Sequence, residues 1–292
     1  MTALNKKTRR SRRQTRTSRR SGWMIPPFFY MTMLLIIFAS TAEAATTVSG
    51  TIAVDTIWSL AGSPYIVTGS ITVQGTDGDD GVTTLTIEPG VQMRFNSGCG
   101  LYVGNSSGSP GALVAQGTPE APIVFTANSS SPTPGYWVGI NFRNTASDAS
   151  CRLEHCTVAY AGNSYSNYAA VRVEASNPAL VACTFEHSVR YDLDYTSNAA
   201  GTLSGCTFNH GIDFSAGGSV VLDSNIVNWT NSYPVKLPAN RVAPFANSTT
   251  FNNLSASSAL VVTDGSLTAD STWPATIAYR LTNSLTVQGT SG

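Results

Sequence analysis

Cys156-Thr157-Val158-Ala159-Tyr160, Cys183-Thr184-Phe185-Glu186-His187 and Cys206-Thr207-Phe208-Asn209-His210 place Cys, Thr and an apolar residue in one order, at intervals of 27 and 23 residues. Each is preceded two or three places upstream by Leu or Val: Leu153, Leu180 with Val181, and Leu203. Short strands that recur every two dozen residues, with no helical pattern between them, predict a solenoid in which each turn adds one coil.

A second strand follows each Cys-Thr strand. Val171-Arg172-Val173-Glu174, Tyr191-Asp192-Leu193-Asp194, Ile212-Asp213-Phe214-Ser215 and Val235-Lys236-Leu237-Pro238 align with apolar residues at the first and third places. Alternation with period two turns these inward and the second-place residues outward. Arg172, Asp192, Asp213 and Lys236 are therefore predicted to form one outward column, with steps of about 4.8 Å between strands.

Earlier in the chain, Tyr65-Ile66-Val67 and Ser70-Ile71-Thr72-Val73 read as strands broken by Gly69. Residues 84–95 read as two strands joined at Pro89-Gly90, a corner in which Pro presets φ and Gly accepts a positive one. Residues 101–103, 112–115, 122–126 and 136–142 continue the series of short strands.

The first 20 residues hold nine of the 17 Lys and Arg, followed by an apolar stretch from 23 to 39 and Ala42-Glu43-Ala44. A basic region, an apolar region and an A-x-A site predict a secretory signal peptide over 1–44, cleaved after Ala44. An uncleaved anchor is the competing reading; Pro26 and Pro27 shorten the apolar run and favour cleavage. Without the leader, eight basic residues face 16 acidic ones. That acidic balance excludes a nucleic-acid partner, which needs a basic surface. Once the signal is removed, no membrane attachment is expected, and the location is extracellular or at the cell surface.

The mature chain is expected to be one β-helix module over 45–269. Asp55-Thr56-Ile57-Trp58 recurs as Asp270-Ser271-Thr272-Trp273, and residues 65–76 recur as 279–290, at an offset of 214 or 215. Residues 270–292 thus read as the start of a second repeat module, with further modules as partners.

The strand pair at 84–95, the segments 121–125 and 136–142, the Cys-Thr coils and Tyr233-Pro234-Val235-Lys236-Leu237-Pro238 resemble the right-handed parallel β-helix repeat proteins exported by bacteria, of pectate-lyase-like architecture. The resemblance spans about residues 45–292 and implies an all-β, right-handed parallel β-helix. That architecture carries polysaccharide lyases and hydrolases, and also surface proteins without catalysis, so the fold alone does not assign an activity. The Gly-His-Gly and Arg-x-Lys motifs of polygalacturonase-like hydrolases are missing here, as is the Arg-x-Pro-x-x-Arg pattern of pectate lyases.

Three groups are candidate sites. Glu174, Asp192, Asp194 and Asp213 would point outward on stacked strands, a carboxylate group suited to glycoside hydrolysis, with Arg172 or Arg190 beside it for a lyase. Asp77, Asp79 and Asp80 would suit calcium, the one cofactor the sequence offers, although their spacing is not that of an EF-hand and Asp-Gly runs are ordinary turns. Cys156, Cys183 and Cys206 form a structural ladder of buried thiols, in which one adjacent pair is close enough for a disulfide. Cys151 and Cys156, five apart, would face opposite sides of a regular strand. His187 and His210 would either bind a metal or stack with Tyr160 at the strand end. Tyr165, Tyr168 and Trp229 are candidate outward rings for stacking on sugars.

The function expected is a secreted or surface β-helix with a structural, adhesive or glycan-binding role, its partners being polysaccharide or cell-surface glycans. The alternative is a polysaccharide lyase or glycoside hydrolase acting at the acidic column.

Overall fold

Leu153, Leu180 and Leu203, the residues ahead of the three Cys-Thr strands, lie directly on one another in neighbouring parallel strands. The computed structural model describes residues 44–289 apart from 106–107, 164–168, 229–233, 255–257 and 264. The expected signal peptide falls almost wholly outside these residues. Among the described residues no helix is long and apolar enough to cross a membrane.

A typical coil has three strands. Arg152–Glu154, Cys156–Ala159 and Ala169–Glu174 make one, and Ala179–Val181, Thr184–Glu186 and Tyr191–Thr196 make the next. Gly201–Ser204, Thr207–Phe208 and Gly211–Asp213 follow, then Val220–Asp223, Asn225–Asn228 and Val235–Leu237. Each strand pairs in parallel with its counterparts one coil before and after. This all-parallel coil is consistent with the right-handed solenoid expected from the sequence. Near the start, Tyr65–Val73 runs around a corner: Tyr65 and Val67 pair with Met93 and Phe95 on one face, and Ile71 and Val73 with Leu101 and Val103 on the next.

Period-two alternation sends three columns of apolar side chains inward. The first runs Trp58, Ile87, Ala115, Leu153, Leu180, Leu203, Leu222. The second runs Tyr65, Met93, Phe125, Val158, Phe185, Phe208, Val227, Phe251. A third runs Ile71, Leu101, Ile140, Val171, Leu193, Ile212, Val235, Leu260. Because like stands on like, rings stack: Phe185 and Phe208 lie 5.1 Å apart and nearly parallel. Such a pair contributes about 1 kcal/mol beyond the area it buries.

Sharp corners separate the first and second faces. His155, Ala182, Gly205 and Ser224 occupy equivalent places, each with φ between 47 and 63°. Only one of the four is a glycine; each of the others costs about 1 kcal/mol in this left-handed conformation. The next residue turns inward, and these are Cys156, Cys183, Cys206 and Asn225, all buried. The three thiols face the carbonyls of Ala115, Leu153 and Leu180, each one coil back, at 3.4 Å. Asn225 continues the series by donating its Nδ2 to the Leu203 carbonyl at 2.9 Å. The ladder is thus four residues long, and its last member is invisible to a search for Cys-Thr.

One expectation needs correction. Cys151 and Cys156 are both buried rather than on opposite faces, because the left-handed turn at His155 interrupts the alternation between them. Beyond the Cys-Thr coils, one segment is helical. Ala239–Asn247 is α-helical and takes the place of a first-face strand, burying Ala239, Val242, Phe245 and Ala246. Pro244 lies inside it and removes one intrahelical bond, which obscured the helix in the sequence.

Candidate functional site

The outward column is real but its register differs from the expected one. Arg172 lies opposite Asp194, Asp194 opposite Asp213, and Asp213 opposite Lys236. Upstream the same column passes through Tyr102 and Asn141. Asp192 does not belong to it. A bulge makes Tyr191 pair with Gly211 and Leu193 with Ile212, so Asp192 is the extra residue and points inward. The expected alignment of 191–194 was therefore two residues out.

The charges of the column neutralise one another. Arg172 donates from Nη1 to Asp194 Oδ2 at 3.1 Å, and Lys236 donates from Nζ to Asp213 Oδ2 at 2.9 Å. Both carboxylates are only 13% exposed beneath their cations. Burial raises the Asp194 pKa, against the lowering effect of Arg172. Burial would lower that of Lys236, but its contacts with Asp213 and Tyr191 outweigh this and raise it. The Lys236 ammonium also sits 5.1 Å from the Tyr191 ring centre. Glu174 lies on the same outer face of its strand as Arg172, opposite Thr196.

Asp192 is wholly buried. The Ser188 hydroxyl donates to its Oδ1 at 2.6 Å, and the amides of Asn209 and His210 donate to its Oδ2 at 2.7 Å. The carboxylate thus satisfies two backbone N–H groups of the next coil where that chain turns a corner. Burial pushes its pKa up to about 6 despite these three donors. His210 Nδ1 stands 3.7 Å from Asp192 Oδ1, too far for a hydrogen bond. Burial, and then the neighbouring His187, lower the His210 pKa. With no surface open to solvent, Asp192 cannot touch a polysaccharide, and it leaves the list of catalytic candidates.

The two histidines also part company. His187 stacks on Tyr160 with ring centres 4.6 Å apart and planes 8° from parallel, whereas His210 turns toward Asp192. Among the described residues no group of three His, Cys, Asp or Glu is placed to hold a metal ion. In the proposed calcium loop, Asp77 Oδ2 accepts the Asp55 amide and Asp80 Oδ1 accepts the Val82 amide, while Asp79 is exposed. Asp80 thus caps its own turn, and Asp77 ties that turn to the distant backbone at Asp55. All five cysteines are free and buried. Burial raises the Cys151 thiol to about 12 and Cys183 well above the usual thiol value.

Tyr165, Tyr168 and Trp229 lie outside the described residues. An outward aromatic that the sequence reading missed is Tyr102, at the upstream end of the column, with the Arg143 guanidinium 4.3 Å over its ring. Also missed was a polar groove of about 620 Å³ lined by Asn177, Asn198, Ser215, Ser219, Asn240 and Arg241 among others. Arg241 donates to Ser219 Oγ at 3.0 Å across it, and burial lowers its pKa. Neither feature has a motif, since each joins residues from different coils.

No curated protein and no solved structure matches the chain. The model of one family matches, described as a pectate-lyase like beta helix domain, over residues 50–171. The match ends just before the column of Arg172, Asp194, Asp213 and Lys236, so the family likeness carries the fold and not these side chains. Residues 50–171 are thus similar to a pectate-lyase like β-helix domain, a likeness that fits a carbohydrate-related role.

Proposed function

We propose that this protein is a secreted or cell-surface β-helix that binds polysaccharide along its outer face, in an adhesive or structural role, and does not cleave it. The observation that carries this reading is the pairing of Asp194 with Arg172 and of Asp213 with Lys236. Glycoside hydrolysis needs one carboxyl to give a proton while the other attacks or activates water. A carboxylate with an oxygen engaged by a cation is less free to attack or to activate water. A ladder of alternating hydrogen-bonding groups, with the half-buried ring of Tyr102 at its upstream end, suits the hydroxyls and apolar faces of a sugar chain. The basic and apolar leader with its A-x-A site supports export.

The test is retention against turnover. Mature protein is passed over immobilised plant, bacterial and animal polysaccharides, and eluates are assayed for new reducing ends and unsaturated uronates. Retention weakened by Tyr102→Ala, with no products, is the expected result. Products that vanish in Asp194→Asn or Asp213→Asn would overturn the binding reading in favour of the enzyme.

A further inference from the structure

Arg241 is the one charged residue in the lining of the polar groove, and no Asp or Glu lines it among the described residues. Nor does Arg241 belong to any of their ion pairs. Its guanidinium donates to the neutral Ser219 hydroxyl. The two carboxylates bonded to lining residues are already engaged. Asp148 accepts the amide and the Nδ2 of Asn177, both at 2.7 Å. Asp213 accepts the amide and hydroxyl of Ser215 as well as the Lys236 ammonium. Burial therefore lowers the Arg241 pKa with nothing to oppose it: the cation loses water and gains no counter-charge.

The backbone adds to this imbalance. Pro238, Asn240 and Arg241 bring the first turn of helix Ala239–Asn247 into the groove. A helix start ordinarily carries a Ser, Thr, Asp or Asn cap and favours acidic side chains. Here the cap is Pro238, without a side-chain hydrogen bond, and the first turn has no acidic residue. Arg241 instead sets a cation at the positive end of the helix. Both features attract negative charge to one place. The volume of about 620 Å³ is far larger than one ion needs, and falls among the ~300–1,000 Å³ of ligand sites. Amides and hydroxyls line the rest, as a sugar chain requires.

We propose that this groove binds an oxyanion, a sulfate ester or a carboxylate, carried on a sugar chain, with the Arg241 guanidinium as its anchor. It begins two residues beyond the outer column on each strand, with Ser215 after Asp213 and Pro238 after Lys236. The oxyanion site stands on the groove alone; that its carrier is a sugar rests on the glycan-binding reading above.

The test titrates mature protein with dextran, carboxymethyl-dextran and dextran sulfate of equal length, and with inorganic sulfate. At least one anionic polymer should bind about ten-fold tighter than dextran, and the tighter of the two names the group. Arg241→Gln should abolish the preference. Asn240→Asp should abolish it too, by supplying a carboxylate within the groove, while holding or raising the unfolding temperature; a lost fold is thereby told apart from a lost site. Arg152→Gln, a charge removed elsewhere, should leave the preference intact. Equal affinity for all three polymers overturns the proposal without touching the outer column. So does a preference that survives Arg241→Gln, or one that falls equally in Arg152→Gln. Inorganic sulfate bound at Arg241 with neither anionic polymer retained also overturns it. A preference lost in Tyr102→Ala but kept in Arg241→Gln would place the anion at the column instead.

Discussion

Asp192 and Asp194 are two residues apart on one strand and live under opposite rules. Asp192 is buried with no cation in hydrogen-bond contact, and holds its place by accepting one hydroxyl and two backbone amides. Asp194 faces outward and is held by Arg172. A carboxylate whose partners are backbone amides cannot be released without orphaning them, so its contribution is to architecture. One held by a partly exposed cation is exchangeable: a ligand can compete for the cation. The inner corner fixes the coil, and the outer column is where function can vary.

The largest effect that would sharpen this contrast is at the inner corner. Asp192→Ala leaves the Ser188 hydroxyl and the amides of Asn209 and His210 without their acceptor, and is expected to cost on the order of 3 kcal/mol or more in denaturant unfolding. Asp192→Asn is milder, because the amide oxygen still accepts from the backbone while Ser188 Oγ accepts from the new N–H₂. A loss below about 1 kcal/mol in the Ala variant would break the distinction between architectural and exchangeable carboxylates.

Acidity tests the same corner. A pKa of about 6 in the fold, against 3.8 for the ordinary group, means that the folded state binds the proton more tightly. Stability from Asp192 is present at low pH and lost as pH rises from about 4 to about 6, a change approaching 3 kcal/mol for this fully buried group. His210 opposes it. Its pKa is lowered in the fold, so its contribution is present above the unfolded value of about 6.5 and lost as pH falls toward the folded one. The clean measurement is the difference between wild type and Asp192→Asn across pH 4 to 7, in which the His210 contribution largely cancels. The wild type should lose stability relative to the variant as pH rises. A flat difference would show that Asp192 is solvated.

How much of this was legible depended on whether a feature repeats. The Leu153, Leu180, Leu203 column and the Cys-Thr strands could be read because inward residues stack on chemically similar ones, and similarity at a fixed interval survives in sequence. The bulge at Asp192 could not, since an extra residue in one coil looks like any other polar residue in an alternating strand. Corners at His155 and Ala182 have positive φ without the Gly or Asn that usually marks it, and this hid the common facing of Cys151 and Cys156. Asn225 escaped for the reverse reason: it does the work of a Cys, donating to the same carbonyl column, with a different side chain. The groove beside Arg241 had no signature at all, because its lining is drawn from residues up to 89 positions apart, from Asn177 to Ser266.

The smallest effect is expected at the outer column, and it completes the contrast. A double-mutant cycle with Arg172→Met and Asp194→Asn should give a coupling of about 1 kcal/mol at low salt, within the range for partly exposed pairs. That coupling should fall further in 1 M salt, where the screening length is about 3 Å, while the cost of Asp192→Ala stays nearly constant. Two features keep the coupling from vanishing. Asp194 is only 13% exposed, and Asp213 on the adjacent strand repels it, so losing Arg172 leaves two neighbouring carboxylates beside Lys236. If the coupling instead matched the Asp192→Ala loss and ignored salt, the column would be as structural as the corner. A ligand would then have no cation to compete for, and polysaccharide binding would have to be sought at the groove beside Arg241.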